Sequence, residues 1–343
     1  TSLNFNVAKN QNGVASILLG SPTITGDIES EGGKFLERNI TITPIDGNWS
    51  ASASSLQKVA SDAAPLPVNG IASGDTTQTS TVLWARSIFP GAVKFEYSTN
   101  SNFSTIAGTQ TANVIDVNLP VKVAVSGLTP NTNYFYRVTD TTGATSIGKF
   151  STAATIGNKT GLKFGVTGDW RGELAPYPAV SNADDANLKF FVELGDTIYA
   201  DVASPAVKNP DGTEKKQVIT VDEYRAKQAE VYSQKYGENT LGDLRAATSI
   251  LATVDDHEVV NDFQGGKDLA TASSADKTLF GATSGLVNDS PLYETGFQAF
   301  QEYNPISDQF YGATGDTRTA GERKLYRYNT CLLYTSPSPR DRQ

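Results

Sequence analysis

The sequence predicts a multidomain fold in which an N-terminal β-sandwich is followed by an α/β domain. Between residues 68 and 153, short runs of β-branched and aromatic residues recur between turn signals, at the spacing of a small sandwich. After residue 158, short apolar strands alternate with helical stretches, which is typical of a layered parallel or mixed sheet. The chain has 343 residues, of which 38% are hydrophobic, so it can bury the cores of two or three domains.

The first 67 residues are expected to form a segment of their own. Residues 1–50 are rich in Ser, Thr, Asn and Gly, and their short β-type runs predict partial β structure. Ser21–Gly26 and Asp46–Ser50 resemble the immunoglobulin-like repeats of bacterial surface proteins. Residues 51–67 are rich in Ser, Ala and Pro, which predicts a linker.

Residues 68–153 are predicted to form the sandwich. Its strands are expected at residues 81–85, 93–97, 122–125 and 134–138. We expect the aromatic residues of these strands to pack in a core rather than to bind a ligand: Trp84, Tyr97, Tyr134 and Tyr136. Leu128–Thr132 is similar to the turn that precedes the sixth strand of a fibronectin type III domain.

Residues 159–330 are predicted to form the α/β domain. Its strands are expected at residues 162–166, 190–194 and 250–254. Its helices are expected at residues 178–188, 221–236 and 293–303. Thr220 and Glu223 form the pattern of a capping box, which predicts where the second helix begins.

Both ends of the sequence have unusual features. Residues 331–343 resemble a translated adapter from library preparation, so we exclude this tail, with its lone Cys331, from fold reasoning. The chain has no Met and opens without a signal peptide, so Thr1 is not expected to be the true start. We therefore expect the α/β domain to be incomplete at its C-terminal end.

The charge balance excludes some classes of partner. The chain has 28 basic and 37 acidic side chains, for a formal net charge of -9. Such a balance disfavours nucleic acid or an anionic membrane as the main partner. The sequence also contains no apolar run of the ~20 residues that a membrane span needs.

Acidic residues follow each of the three predicted strands of the α/β domain. The first strand leads to Asp169, the second to Asp196 and the third to the run Asp255-Asp256-His257-Glu258. A single carboxylate at a strand end is often a helix cap or a solvated loop residue. Three together at the carboxyl ends of neighbouring strands indicate a site, because open α/β sheets bind their ligands there.

Carboxylates in this position suit metal ions. Oxygen ligands bind hard cations, and two cations can hold the attacking and leaving oxygens of an in-line phosphoryl transfer. Gly168 and Gly195 precede Asp169 and Asp196 and allow close approach of the backbone. Tyr199 is either a core residue or a ligand; as a ligand it requires a strongly acidic ion such as ferric iron, because a phenol has a pKa of about 10.

His257 is the only histidine of the chain. A lone histidine is more often structural than functional. This one is flanked by Asp255, Asp256 and Glu258, and these carboxylates would raise its pKa and keep it cationic. A cationic imidazole suits a donor to phosphate or an acid for a leaving group.

These motifs resemble those of the alkaline phosphatase D (PhoD-like) family, within the calcineurin-like and purple-acid-type metallophosphoesterases. The matching residues are Gly70–Asp75, Thr81–Arg86, Gly195-Asp196-x-x-Tyr199 and Asp255–Val259 with Asn261 and Asp262. The resemblance covers residues 68–330, and it implies further metal ligands from later strands. We therefore expect weak metal binding and little activity of this chain alone. The resemblance implies a fibronectin type III-like N-terminal sandwich, a truncated α/β/β/α catalytic domain and hydrolysis of phosphomonoesters or phosphodiesters by a metal-bound hydroxide.

The resemblance also implies roles for individual residues. Asp169, Asp196, Tyr199 and Asp256 are the expected metal ligands, with Asp196 as the bridge. His257 and Arg171 are the expected donors to the phosphoryl oxygens, and Asp255, Glu258 and Asn261 are expected close by. The implied cofactor is a binuclear or multinuclear centre of Fe3+ with Ca2+. Zn2+, Mn2+ and Mg2+ are alternatives, because relatives often have Cys where this chain has Asp169, and a carboxylate favours harder ions.

Three alternatives for function stay open at this point. The first is an alkaline phosphatase that hydrolyses small phosphomonoesters, phosphodiesters or both, and the second is a phospholipase-like phosphodiesterase. The third is a non-catalytic surface adhesion protein, in which the β-rich first part of the chain carries the function. The resemblance implies a secreted, periplasmic or cell-surface location, and the sequence does not give the oligomeric state.

Overall fold

A computed structural model describes residues 69–158, 161–312 and 320–327, together with four short strands nearer the N-terminus. The predicted linker and the adapter-like tail lie outside the described residues, as does most of the segment that resembles immunoglobulin-like repeats. The four short strands form two antiparallel pairs. Strand β1 (Asn6–Val7) pairs with β2 (Ile24–Thr25), and β3 (Ile42–Ile45) pairs with β4 (Asn48–Ala51).

A mixed sheet of six strands forms the framework of the main unit. Its strands are β5 (Ile71–Gly74), β6 (Ser80–Ala85), β9 (Val121–Ser126), β12 (Phe164–Thr167), β13 (Phe190–Glu193) and β14 (Ser249–Ala252). They lie in the order β12-β13-β14-β5-β6-β9. The pairs from β12 to β5 are parallel, and the pairs from β5 to β9 are antiparallel.

A second sheet of four antiparallel strands packs against one part of the first. Its strands are β7 (Gly91–Ser98), β8 (Gly108–Val114), β10 (Asn133–Thr139) and β11 (Thr145–Ser151), in the order β11-β10-β7-β8. Leu83, Phe95, Tyr136 and Phe150 belong to the buried cluster shared by the two sheets. The four strands expected from sequence in residues 68–153 are confirmed, while β5, β8 and β11 had not been predicted.

The six-stranded sheet crosses the boundary expected between the two domains. Ser73 on β5 pairs with Ser249 on β14, so strands from both predicted domains form one ladder. Strand β6 is buried on both faces: Leu83 faces the sandwich core, and Trp84 packs in the core of the α/β part. The expectation that Trp84 is a core residue is confirmed, and its indole N–H donates to the Glu302 carbonyl oxygen at 2.9 Å.

Four α-helices cover the α/β part within the described residues. They are α1 (Val221–Val231), α2 (Thr240–Ala247), α3 (Ser274–Phe280) and α4 (Pro291–Tyr303). The capping box of α1 is confirmed, because the side chains of Thr220 and Glu223 each bond the other's backbone N–H. None of the helices in the described part of the chain is both long and apolar enough to cross a membrane.

The helix predicted at residues 178–188 is wrong. The structure has two short 3-10 turns there, Pro178–Val180 and Asp184–Ala186. Polar residues between and within the turns compete for backbone hydrogen bonds, and the Asp184 side chain accepts from the backbone N–H of Asp185. Asn187 then takes a left-handed conformation with a φ of 52°, which ends the segment before β13.

Candidate metal centre

The candidate site lies at the carboxyl ends of the parallel strands β12, β13 and β14. A predicted ligand follows the end of each strand by two to four residues: Asp169, Asp196 or Asp256. Because these strands are parallel neighbours, their three loops meet at one edge of the sheet. The fold thus brings together residues that are far apart in the sequence.

The backbone of the first two loops is unusual. Asp169 and Asp196 both have a positive φ, of 63° and 51°, which is uncommon for residues with a side chain. Gly195 has a φ of 101°, and a Cβ atom there would lie 2.4 Å from the backbone nitrogen of Asp255. Glycine at position 195 is therefore required for the β13 and β14 loops to approach each other.

Three residues have possible ligand atoms close enough together to share one metal ion. Single atoms of Asp196, Asp256 and His257 lie within 4.8 Å of one another, close enough to bind one metal ion. Asp196 is mostly buried, and burial raises the pKa of its carboxyl; the charges of Asp255 and Asp256 act in the same direction, while His257 opposes them. A cation would relieve this repulsion between carboxylates.

Tyr199 lies beside this group. Its hydroxyl donates a hydrogen bond to the Asp169 carboxylate at 3.0 Å. Burial raises the pKa of Tyr199 well above its usual value, and hydrogen bonds and charges of Asp169 and Asp196 raise it further. Without a metal the phenol is therefore neutral, and Tyr199 is a link between two predicted metal ligands rather than an isolated core residue.

His257 is held by contacts on two sides. Its ring stacks on the ring of Tyr199, with centroids 3.9 Å apart. Its Nδ1 atom lies 2.6 Å from Asp201 Oδ1, and its backbone N–H donates to Asp196 Oδ1 at 3.2 Å. Burial lowers the pKa of His257, but the hydrogen bond and charge of Asp201, with the charges of Asp196 and Asp256, outweigh it and raise the pKa overall. The bond at Nδ1 leaves Nε2 for a metal or a phosphate oxygen.

The carboxylate of Asp256 also supports its own loop. It accepts a hydrogen bond from the backbone N–H of Asp262, and the Asp256 carbonyl accepts from Val259 and Val260 at 2.8 and 2.9 Å. Asn261 lies close by, and its backbone N–H donates to Asp201 Oδ2 at 3.3 Å. These bonds hold residues 256–262 in a turn next to Asp201.

Glu258 does not face the site as its neighbours do. It is fully buried, and its carboxylate accepts hydrogen bonds from backbone N–H groups of the two loops after β13 and β14. Burial raises the pKa of Glu258 to about 7, while these three hydrogen bonds act to lower it. Of the flanking carboxylates expected to raise the pKa of His257, Asp256 contributes, while the hydrogen bond to the ring comes from Asp201.

Arg171 lies at the edge of the candidate site. Its guanidinium carbon is 5.4 Å from the centroid of the Tyr199 ring, and its Nε donates to Glu173 at 2.7 Å. The Arg171 side chain is partly exposed, so this ion pair is open to exchange with a bound anion.

Sequence reasoning missed Asp201. The only signal was a carboxylate two residues after Tyr199, and no spacing rule distinguishes it from a solvated loop residue. A backbone hydrogen bond from Ala200 to the His257 carbonyl oxygen, at 3.0 Å, is what brings Asp201 to the ring. Contacts of this kind between loops are not visible in a sequence.

The donor atoms of the site fit a hard or borderline metal ion. Carboxylates, a phenol oxygen and an imidazole nitrogen converge, and the described residues offer no sulfur donor there. Imidazole suits iron and zinc, and carboxylates suit harder ions. Burial is the largest cause of the raised pKa of both Asp196 and Tyr199, and the charges of neighbouring carboxylates raise it further. A cation bound there would offset these charges.

The fold is a mixed sheet with helices, and a candidate metal site lies at the ends of its parallel strands. Comparison with known proteins identifies its family. Residues 51–154 match the N-terminal domain of PhoD-like phosphatases, and residues 167–329 match the PhoD-like phosphatase domain that follows it. The chain belongs to the PhoD-like phosphatase family.

Individual relatives agree with this assignment. Alkaline phosphatase D of Bacillus subtilis (strain 168) is 28% identical over 212 residues, which cover 57% of this chain and 35% of that protein. A solved structure of PhoD has a TM-score of 0.60 at 23% identity and covers 77% of this chain and 50% of its own. The chain thus spans about a third to a half of the length of these relatives, and the structural likeness supports the fold.

Proposed function

We propose that this chain carries the metal-binding half of a phosphoester hydrolase of the alkaline phosphatase D type. The observation that carries the proposal is the convergence of Asp196, Asp256 and His257 within 4.8 Å, beside Tyr199 and Asp169. Membership of the PhoD-like phosphatase family supports it. A small phosphoester is the proposed substrate, and the family resemblance favours Fe3+ with Ca2+ as the metals.

Asp169, Asp196, Tyr199 and Asp256 would hold the metals. A bound cation supplies Lewis acidity to the phosphoryl group and makes water a stronger nucleophile. Tyr199 would hold ferric iron as the phenolate, so its hydroxyl would give up the proton that it keeps in the metal-free chain. The chain's own residues then have to place the substrate and move the proton.

His257 is the proposed proton donor. Asp201 fixes Nδ1, so Nε2–H is directed away from it toward the substrate side. As water oxygen bonds to phosphorus and the ester P–O bond breaks, the leaving oxygen would take the Nε2 proton. Arg171 would turn from Glu173 to the phosphoryl oxygens and stabilise their charge.

The finer fold is part of the same proposal. The Tyr134 hydroxyl accepts a hydrogen bond from the backbone N–H of Thr129 at 3.0 Å, like the tyrosine corner of β-sandwich domains. This contact supports a fibronectin type III-like N-terminal domain. For residues 159–330 we propose part of an α/β/β/α metallophosphoesterase domain, and for the protein a secreted, periplasmic or cell-surface location.

Substitution of Asp196 by Asn in the complete protein tests the function. Hydrolysis of p-nitrophenyl phosphate and of its bis-ester should both be lost in Asp196→Asn and after removal of metal with a chelator. The ratio of the two rates in the parent protein separates a monoesterase from a diesterase. Asp211→Asn is the matched control, because Asp211 is an exposed loop residue whose carboxylate bonds Thr213. Full turnover in Asp196→Asn would disprove the assignment.

A further inference from the structure

Glu258 is the one member of the Asp-Asp-His-Glu run that points into the protein. Its side chain is fully buried, whereas Asp255 is exposed and Asp256 and His257 are partly exposed. The neighbouring residue Val259 belongs to the main hydrophobic core. A buried carboxylate is costly unless hydrogen bonds compensate it, so its partners indicate why it is there.

Those partners are backbone amides of two different loops. Glu258 Oε1 accepts from the N–H of Thr197 at 2.7 Å, and Oε2 accepts from Asp196 at 3.1 Å and from Asp255 at 2.8 Å. Thr197 and Asp196 follow β13, and Asp255 follows β14. One side chain therefore connects the loop of Asp196 with the loop of Asp256 and His257.

The connection extends to the third loop through the backbone. The carbonyl oxygen of Asp196 accepts from Trp170 at 2.9 Å, and that of Gly195 accepts from Asp169 at 3.3 Å. Asp196 itself has a positive φ, a conformation that persists only when its surroundings hold it. The hydrogen bond from the backbone N–H of Asp196 to Glu258 is one of the contacts that hold Asp196 in this conformation.

We propose that Glu258 is a positioning residue that fixes the metal-bearing loops relative to each other before a metal binds. Its carboxylate gives the Asp196 backbone N–H an acceptor inside the protein, so that the Asp196 side chain stays directed toward Asp256 and His257. This inference rests on the proposed metal site but concerns how the site is built. It predicts that the metal affinity depends on a residue that does not contact the metal.

Glu258→Gln is the decisive variant. Glutamine has the same shape, but its amide NH2 replaces one acceptor oxygen and faces backbone donors, so it cannot accept all three bonds. Glu193→Gln is the matched control: Glu193 is also fully buried, three residues before Asp196, yet neither of its oxygens has a hydrogen-bond partner among the described residues. Both variants replace one buried carboxyl group by an amide, and only Glu258→Gln loses the loop contacts.

Two measurements on the 343-residue chain separate the outcomes. In a titration with Mn2+ alone, electron paramagnetic resonance measures the free ion. The Kd of Glu258→Gln should be about 10–100 times higher than that of the parent, the range expected for residues that support metal ligands without contacting the metal. The Kd of Glu193→Gln should stay within about twofold of the parent. Amide exchange measured by NMR in the metal-free parent should show slow exchange of Asp196, Thr197 and Asp255.

Each possible result counts for or against the proposal. An unchanged Mn2+ affinity in a folded Glu258→Gln, or an equal loss in Glu193→Gln, would overturn it, as would rapid exchange of the three amides in the parent. If Glu258→Gln does not fold, the proposal is tested by the Mn2+ affinity of Glu258→Asp and by the amide exchange rates of the parent. A parent chain that binds no Mn2+ would count against the proposed metal site, while the amide exchange would still test the loop contacts.

Discussion

The imidazole of His257 and the carboxylate of Asp201 are 2.6 Å apart, although 56 residues separate them in the chain. The pair lies next to three predicted metal ligands, and it fixes which imidazole nitrogen can reach a substrate. It also holds the imidazole in its stacked position on Tyr199. Asp201 therefore affects both the charge and the orientation of the only histidine.

Substitution of Asp201 by Asn should lower the pKa of His257. Burial acts to lower this pKa, and the bond and charge of Asp201 are the first of the contributions that raise it above 6.5. In the metal-free chain the lone histidine gives a single set of ring signals, so an NMR titration reads the pKa directly. A pKa equal to that of the parent would contradict the role given to Asp201.

The same pair should make stability depend on pH. A histidine with a raised pKa in the folded state contributes stability that is fully present below its unfolded value of 6.5 and is lost as the pH rises through the folded value. The melting temperature of Asp201→Asn should thus fall below that of the parent most strongly under acidic conditions. Asp211→Asn serves as the control and should show no such trend.

Tyr199→Phe should remove the spectroscopic signature of ferric iron. A phenolate bound to Fe3+ gives a visible charge-transfer band, and the Tyr199 hydroxyl lies next to Asp169 and Asp196. The complete protein loaded with Fe3+ should show the band, Tyr97→Phe should retain it, and Tyr199→Phe should lose it. A band of full strength in Tyr199→Phe would show that another residue supplies the phenolate.

Glu96→Gln should destabilise the sandwich at neutral pH by about 1 kcal/mol, the size expected for a partly buried ion pair. Glu96 Oε2 accepts two bonds from Arg137, at 2.9 and 2.8 Å, between the paired strands β7 and β10. Burial acts to raise the pKa of Glu96, but Arg137 and Lys94 outweigh it and lower the pKa below 4.5.

The direction of the Glu96 pKa shift determines how the stability depends on pH. A lowered pKa gives stability that is present above 4.5 and is lost as the pH falls through the folded value. Urea unfolding at pH 7 should separate Glu96→Gln from the parent, and the difference should shrink in acid. Glu214→Gln, at an exposed and longer ion pair of 3.7 Å, should have no measurable effect.

Trp84→Ala should destabilise the main unit by about 3–5 kcal/mol, as expected for removal of a large buried aromatic side chain. Trp84 is fully buried, with the Arg245 guanidinium carbon 4.7 Å from its ring centroid and its N–H bonded to Glu302. Urea unfolding followed by circular dichroism measures the loss, and Trp84→Phe should lose less. A change below about 1 kcal/mol would mean that the core around Trp84 contributes little.

Much of the candidate site could be predicted because the sequence patterns that indicate it involve residues close together in the chain. The apolar runs of β12, β13 and β14 and the acidic residues that follow them are adjacent in the sequence, and parallel strands place such loops together. The capping box of Thr220 was predictable for the same reason, since its two side chains bond each other's backbone within one helical turn.

The rest depends on contacts between distant residues. Strand β8 (Gly108–Val114) is mostly polar and exposed, so hydrophobic alternation gives no signal for it. The orientation of Glu258 follows from three amides on two loops, and the partner of His257 follows from the path of the β13 loop. Neither arrangement follows from the residue types in the Asp-Asp-His-Glu run.

The pairing of Ser73 with Ser249 has a consequence for synthesis. During translation β5 leaves the ribosome long before β14, so its parallel neighbour does not yet exist. Until then β5 has an open edge on one side, which another chain could pair with. The N-terminal part of the nascent chain therefore cannot complete its final sheet before β14 emerges, and slow translation through residues 160–250 would prolong its exposure to aggregation and to chaperones.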